Sequence, residues 1–338
     1  MNIIFGPVPS RRLGRSLGIN NIPPKSCSYS CLYCQVGATE TQMIKPQVFY
    51  APQDIFREVR EHLEKTNSTG EAVDYLTFVP DGEPTLDINL GKAIELLRAL
   101  HIPIAVISNA SLLWHKDVRA AIGSADWVSL KVDSVNEATW KKLNRPHEAL
   151  RLDDVMKGIH QFASDFQGQL VSETMLINGI NDNEDELAGV ADFLKETGVC
   201  CSYLSVPTRP TAESGITAPN ETTLNRCYHV MAARLDHVEY LIDYEGDAFA
   251  FSGDVQQDLL SITAVHPMRE SAINELLERA GTDWSLLEKL ITARKLKEVE
   301  YLGERYFVRC FSGDVERTKC NKNNADRISA KSQFEQDC

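Results

Sequence analysis

Three cysteines fall inside one octapeptide, Cys27-Ser28-Tyr29-Ser30-Cys31-Leu32-Tyr33-Cys34. The C-x3-C-x2-C spacing gathers three thiolates on one small loop, and thiolates bind zinc or iron-sulfur clusters. A structural zinc takes four protein ligands, yet no fourth Cys or His lies close by, His62 being the first histidine. A [4Fe-4S] cluster held by three cysteines leaves one iron open to a non-protein ligand. Cysteine also packs as a small hydrophobe, but three at this spacing beside Tyr33 favour a cluster over zinc and over core packing.

Other chemistry-bearing residues recur at intervals along the chain. Val79-Pro80-Asp81-Gly82-Glu83-Pro84-Thr85 offers a glycine that permits close backbone approach and carboxylates that can pair with a cation. Ser108 and Asn109, then Lys131 and Asp133, then Asn144 and Arg145, follow. Each alone has a plain structural reading as turn, helix cap, solvated charge or helix terminus. Glu173 reads equally as a substrate acid or base and as a buried carboxylate paired with an arginine.

The elements that must position these groups are βα units. Between about residues 15 and 235, short β-branched runs alternate with amphipathic stretches, the pattern of a parallel sheet covered by helices. Six strands are predicted, over 17–22, 74–79, 102–108, 127–133, 170–177 and 202–207. Helices are predicted near 53–65, 87–100, 115–122, 152–165, 184–197 and 221–235, the last with Leu224, Cys227, Met231 and Leu235 on one stripe. Six units fall short of the eight of a closed barrel, and periodicity alone leaves an open doubly wound sheet equally available. Every group named above stands at the C-terminal end of a strand, where the catalytic residues of (βα) barrels gather.

The cysteine loop with Tyr33 before its third cysteine resembles the signature of the radical S-adenosylmethionine (SAM) superfamily, over roughly residues 15 to 225. The resemblance implies a partial (βα)6 TIM-type barrel in an α/β fold. It implies that Cys27, Cys31 and Cys34 hold a [4Fe-4S] cluster whose open iron chelates the amino and carboxylate groups of SAM. An electron from the reduced cluster would then cleave the carbon-sulfur bond, giving methionine and a 5'-deoxyadenosyl radical that abstracts hydrogen from a substrate. The 79–85 segment is similar to the family's Gly-Gly-Glu-Pro motif, with Asp81 where the first glycine usually stands; Asp enters left-handed conformations more readily than most residues. By this resemblance Tyr33, Asp81, Gly82, Glu83, Pro84, Thr85, Ser108, Asn109, Asn144 and Arg145 are cofactor-site candidates. Lys131 and Asp133 join that site and, with Glu173, are the candidate catalytic groups.

The opening Phe5 to Asn20 resembles radical SAM proteins grouped with wybutosine-synthesis enzymes, a branch related to molybdenum-cofactor GTP cyclases. Wybutosine enzymes that make 4-demethylwyosine carry further cysteines upstream of the radical SAM loop, and this chain has none before Cys27. Cys200, Cys201, Cys227, Cys310, Cys320 and Cys338 contain no C-x2-C pair, so one cluster is expected. The implied partner is an electron donor such as flavodoxin or ferredoxin; a tRNA base, a peptide and a small molecule stay open as substrates.

The chain has 338 residues, 35 Lys and Arg against 48 Asp and Glu, and a net charge of -13, so its long-range field repels nucleic-acid backbones. No apolar run reaches the length of a membrane span, and the N-terminus lacks the order of a secretory signal. A cytoplasmic location is expected. Arg11, Arg12, Arg15 and Lys25 are placed near the barrel mouth, as anion receivers or as surface charges. The barrel is expected to occupy 1–240, with a linker over 241–258 and a turn at Tyr244-Glu245-Gly246-Asp247. Helices at 270–280 and 283–295 and a hairpin over 297–308 suggest a winged-helix-like domain at 259–312, followed by a polar tail over 313–338. Residues 255–312 carry eight Lys and Arg against nine Asp and Glu, so DNA contact is not expected. The rival to the enzyme reading is an iron-sulfur or zinc regulator that binds DNA through the winged helix.

Overall fold

The structure is a computed structural model that describes residues 3–68, 72–242, 249, 251 and 253–310. The chain opens with β1 (Ile4–Ser10) and β2 (Gly14–Ile19), an antiparallel pair. Two short strands, β3 (Ser26–Cys27) and β4 (Thr41–Gln42), pair within the next loop. Then α1 (Pro52–Ser68), β5 (Tyr75–Phe78), α2 (Leu90–Leu97), β6 (Ile104–Ser108), α3 (Lys116–Ile122) and β7 (Trp127–Lys131) alternate. They are followed by α4 (Glu137–Asn144), α5 (Leu152–Asp165), β8 (Gln169–Met175), α6 (Glu184–Thr197), β9 (Cys201–Ser205), α7 (Glu221–Ala232) and β10 (Val238–Leu241).

The sheet order is β1-β2-β5-β6-β7-β8-β9-β10, parallel from β2 onward. It curls into a half-barrel of eight strands, two more than the six units predicted. Residues of β1 include Gly6, Pro7 and Pro9, which break the apolar alternation and which an antiparallel edge strand tolerates. β10 is four residues long and carries little periodicity. The outward strand faces, Leu76, Phe78, Ile104, Val106, Val128 and Leu130 among them, are buried against the apolar stripes of the helices, such as Ile55, Val59 and Leu63 of α1. Local signals place the helix ends: Asn136, Asn183 and Asn220 cap α4, α6 and α7 through their side-chain oxygens, and Gly198 ends α6 in a left-handed conformation.

The C-terminal module runs α8 (Val255–Val265), β11 (Met268–Arg269), α9 (Glu270–Arg279), α10 (Ser285–Thr292), β12 (Leu296–Tyr301) and β13 (Glu304–Arg309), with sheet order β11-β13-β12. Leu302 and Gly303 both have positive φ, the geometry of a two-residue hairpin turn. α8 starts four residues before the expected domain boundary, capped by Asp254. The module has its own core, including Leu259, Ile273, Leu287 and Phe307, and Val8 of β1 packs on it. On the other side the hydroxyls of Tyr301 and Tyr306 donate to the carbonyls of Pro207 (3.2 Å) and Thr208 (2.9 Å), just beyond β9. The module therefore holds both sides of the open barrel. The expected turn at 244–247 and the tail over 313–338 lie outside the described residues.

Candidate active site

The cysteine loop leaves the C-terminal end of β2 and is tied down on three sides. Ser26 bridges to Gly82 beyond β5, and the amides of Ser30 and Leu32 donate to the carbonyls of Asn144 (3.0 Å) and Leu143 (3.0 Å). Trp140 Nε1 donates to the Tyr29 hydroxyl at 3.1 Å, and the two rings meet edge to face. Desolvation by this packing, reinforced by Glu83 and the neighbouring thiols, pushes the Cys27 thiol well above its ordinary range. The same burial lifts Cys31 to about 12 and raises Cys34. Two side-chain amides aim at the sulfurs: Asn109 Nδ2 stands 3.5 Å from Cys27 Sγ, and Asn144 Nδ2 stands 3.5 Å from Cys31 Sγ. Amide donors suit thiolates that carry negative charge, so the donor set fits an iron-sulfur cluster.

The segment after β5 buttresses this loop. Gly82 has φ +153, and a Cβ there would sit 1.9 Å from the Ser26 carbonyl oxygen. Only glycine allows that approach. The Glu83 carboxylate accepts from the Thr85 amide (3.1 Å), the Thr85 hydroxyl (2.6 Å), the Ser108 hydroxyl (2.7 Å) and the Asn109 amide (2.7 Å). Burial raises its pKa, and those four donors pull it back. Glu83 thus stitches β5 to β6 and orients Asn109 toward Cys27, while Pro84 and Thr85 form a buried 3-10 turn behind it. Asp81 pairs with Lys25 at 3.3 Å, both side chains buried.

A second network begins at Tyr33. Its hydroxyl donates to Asp133 Oδ2, which also accepts from Asn144 Nδ2 (2.7 Å), while Asp133 Oδ1 accepts from the Met175 amide (2.8 Å). Beside it Lys131 lies over the Tyr33 ring at 5.1 Å and donates to Glu173 Oε1 at 3.0 Å. Glu173 Oε2 takes Arg12 Nη1 at 2.8 Å, and Ser205 donates to Oε1 at 3.0 Å. Burial would raise Glu173, but Lys131 and Arg12 hold it well below the usual carboxylate range; burial would lower Lys131, but Glu173 and Asp133 hold it as an ammonium. Glu173 is therefore a paired buried carboxylate.

Arg12 departs from its expected place near the mouth. It rises from the β1–β2 turn at the barrel floor, its guanidinium 5.6 Å from both the Trp127 and Tyr203 rings. Charge alone could not show this, because the turn's position depends on β1 folding back along β2. The Arg145 side chain pairs with the exposed Glu213 rather than with a cysteine, while Asn144 beside it reaches Cys31. The cysteine loop, Tyr33, Ser108, Asn109, Lys131, Asp133, Asn144 and Glu173 converge at one end of the half-barrel. Lys25 and Arg12, expected as anion receivers or surface charges, instead pair with Asp81 and Glu173, and the contribution of Ser205 was not legible in the sequence.

The family model of the radical SAM superfamily matches residues 21–194. The chain belongs to the radical SAM superfamily. It is 45% identical over 311 residues to a UPF0026 protein of Methanocaldococcus jannaschii, covering 91% of this chain and 96% of that one. Two solved structures share the fold. A radical SAM methyltransferase from Sphaerobacter thermophilus superposes with a TM-score of 0.52 at 15% identity, over 67% of this chain and 66% of that one. TYW1 with a lysine-pyruvate adduct bound superposes with a TM-score of 0.50 at 12% identity, over 65% of this chain and 73% of that one. Membership of the radical SAM superfamily implies SAM and an iron-sulfur cluster as cofactors. Among the described residues no helix is long and apolar enough to cross a membrane.

Proposed function

We propose that this radical SAM protein holds a [4Fe-4S] cluster on Cys27, Cys31 and Cys34 and uses it to abstract hydrogen from a substrate in the half-barrel lumen. The observation that carries the reading is the pair of amides, Asn109 and Asn144, aimed at two of the three cysteine sulfurs. When bound, the cluster and SAM supply the 5'-deoxyadenosyl radical. The protein's part is aim and enclosure. Tyr33, Asp133 and Asn144 hold the loop rigid, Glu83 holds the β5 and β6 ends together, and the Arg12–Glu173–Lys131 chain gives the lumen a polar floor with an excess of positive charge.

The C-terminal module, with the order α-β-α-α-β-β, reads as a winged helix that closes the side of the barrel. Its docking through Tyr301, Tyr306 and Val8 supports a covering role over DNA contact. A flavodoxin or ferredoxin supplies the electron, and a small molecule suits the lumen better than a tRNA on an acidic chain. The test is anaerobic reconstitution with iron, sulfide, SAM and dithionite. Wild type should form 5'-deoxyadenosine and Cys34→Ala should not; equal traces from both would overturn the reading.

A further inference from the structure

A cavity of about 410 Å³ lies between the barrel rim and the C-terminal module. Asn20, Ile22 and Asp81 line it from the barrel, and Gln257, Ser261 and Arg309 from the module. That volume is in the range of small-molecule sites. Arg309 closes β13, and its Nη1 atom is buried with no hydrogen-bond partner. An unpartnered buried donor on a cation is unfavourable by more than a neutral one, and burial indeed pushes the Arg309 pKa down. The acid on the wall, Asp81, is already matched by Lys25 at 3.3 Å. A cationic donor on the cavity wall is left without a partner.

The geometry points to an oxyanion site: we propose that Arg309 receives the carboxylate or phosphate group of a small molecule seated in this cavity, the acidic end of the substrate. The location suits that role. The Asp81 carbonyl accepts from the Lys25 amide at 2.8 Å, two residues before Cys27, so the cavity abuts the cysteine loop from the rim side. Gln257 adds an amide for a neutral part of the ligand, and the guanidinium fork selects planar or tetrahedral oxyanions. The role as substrate anchor rests on the radical SAM reading; anion binding itself does not.

The experiment titrates the full-length, cluster-reconstituted protein with inorganic phosphate and with succinate, by calorimetry and by thermal melting. Saturable binding of one anion, with a Tm that climbs with its concentration, is expected. Phosphate alone would mark a phosphate-bearing ligand and succinate alone a carboxylate. Arg309→Gln should weaken binding by about tenfold or more, as loss of a charge-assisted hydrogen bond does, and should flatten the Tm response. Its anion-free Tm should hold or rise, because an unpaired buried charge is gone. Arg305→Gln, at an exposed arginine paired with Glu270 and Glu298, should bind as wild type does. Should Arg309→Gln not fold, Arg309→Lys keeps the charge without the fork and should still bind more weakly. No saturable binding of either anion, or unchanged affinity in the Arg309 variant, overturns the proposal. A 5'-deoxyadenosine assay on the same samples separates the two readings: anion binding without 5'-deoxyadenosine fails the radical SAM reading alone, and 5'-deoxyadenosine without anion binding fails this one alone.

Discussion

Replacing Gly82 by alanine should loosen the cluster loop without touching a cysteine. The added Cβ would lie 1.9 Å from the Ser26 carbonyl oxygen, whereas real contacts of this kind do not fall below 3.0 Å, so the two backbones must part by about 1.1 Å. Ser26 O belongs to the peptide that leads into Cys27, and it also accepts from the Glu83 amide at 3.1 Å. The opening therefore moves Cys27, a proposed cluster ligand, and breaks a hydrogen bond together. A positive φ on alanine costs about 1–3 kcal/mol and the lost hydrogen bond about 0.5–1.5 kcal/mol. At roughly 2–4 °C per kcal/mol for a domain of this size, Tm should fall by roughly 3–18 °C. A displacement of about 1 Å at a reacting centre can cost about a hundredfold in rate. The measurements are iron and sulfide per chain after anaerobic reconstitution, the melting curve, and 5'-deoxyadenosine formation. Gly179→Ala is the matched control, since Gly179 has φ +69 but nothing within 4 Å of its Cβ position; it should show backbone strain alone and wild-type iron. Wild-type iron content and rate in Gly82→Ala would refute the reasoning.

The remaining predictions concern the two buried networks. Glu173→Gln leaves Arg12 and Lys131 uncompensated and should destabilise the fold at neutral pH by about 3–5 kcal/mol in chemical denaturation. Because the folded carboxyl is held below its ordinary value near 4.5, its stabilisation is complete above that pH and is lost as pH falls. The gap between wild type and variant should narrow below about pH 5, and a gap constant down to pH 3 would count against the pairing. Asn109→Ala and Asn144→Ala should each shift the cluster to a more negative potential in an EPR-monitored redox titration. A net hydrogen bond of about 1 kcal/mol corresponds to at most about 40 mV for one electron; unchanged potentials in both variants would remove the amides from the cluster's surroundings.

Much of the fold was readable because its signals are local. The apolar period of α5 and the βα alternation each depend on residues a turn or a strand apart, so the helices at 152–165 and 184–197 match their expected limits, whereas α4 was not among the expected helices. Proline-broken β1 and the short β10 escaped for the converse reason: they are strands because a neighbouring strand offers a ladder.

The same division runs through the site. By itself the sequence determined that three thiols share one short loop, since Cys27, Cys31 and Cys34 fall within eight residues and need no distant partner to gather. It also marked the strand ends where the remaining groups would stand. Only the tertiary structure decided what each group does there. Register brings Glu83 under Ser108 and Asn109, turns Asn144 toward Cys31 and Arg145 toward Glu213, sends Arg12 through the floor to Glu173, and closes Arg309 into the rim cavity. Those assignments depend on distances between residues far apart in sequence, which chain order does not encode and packing does.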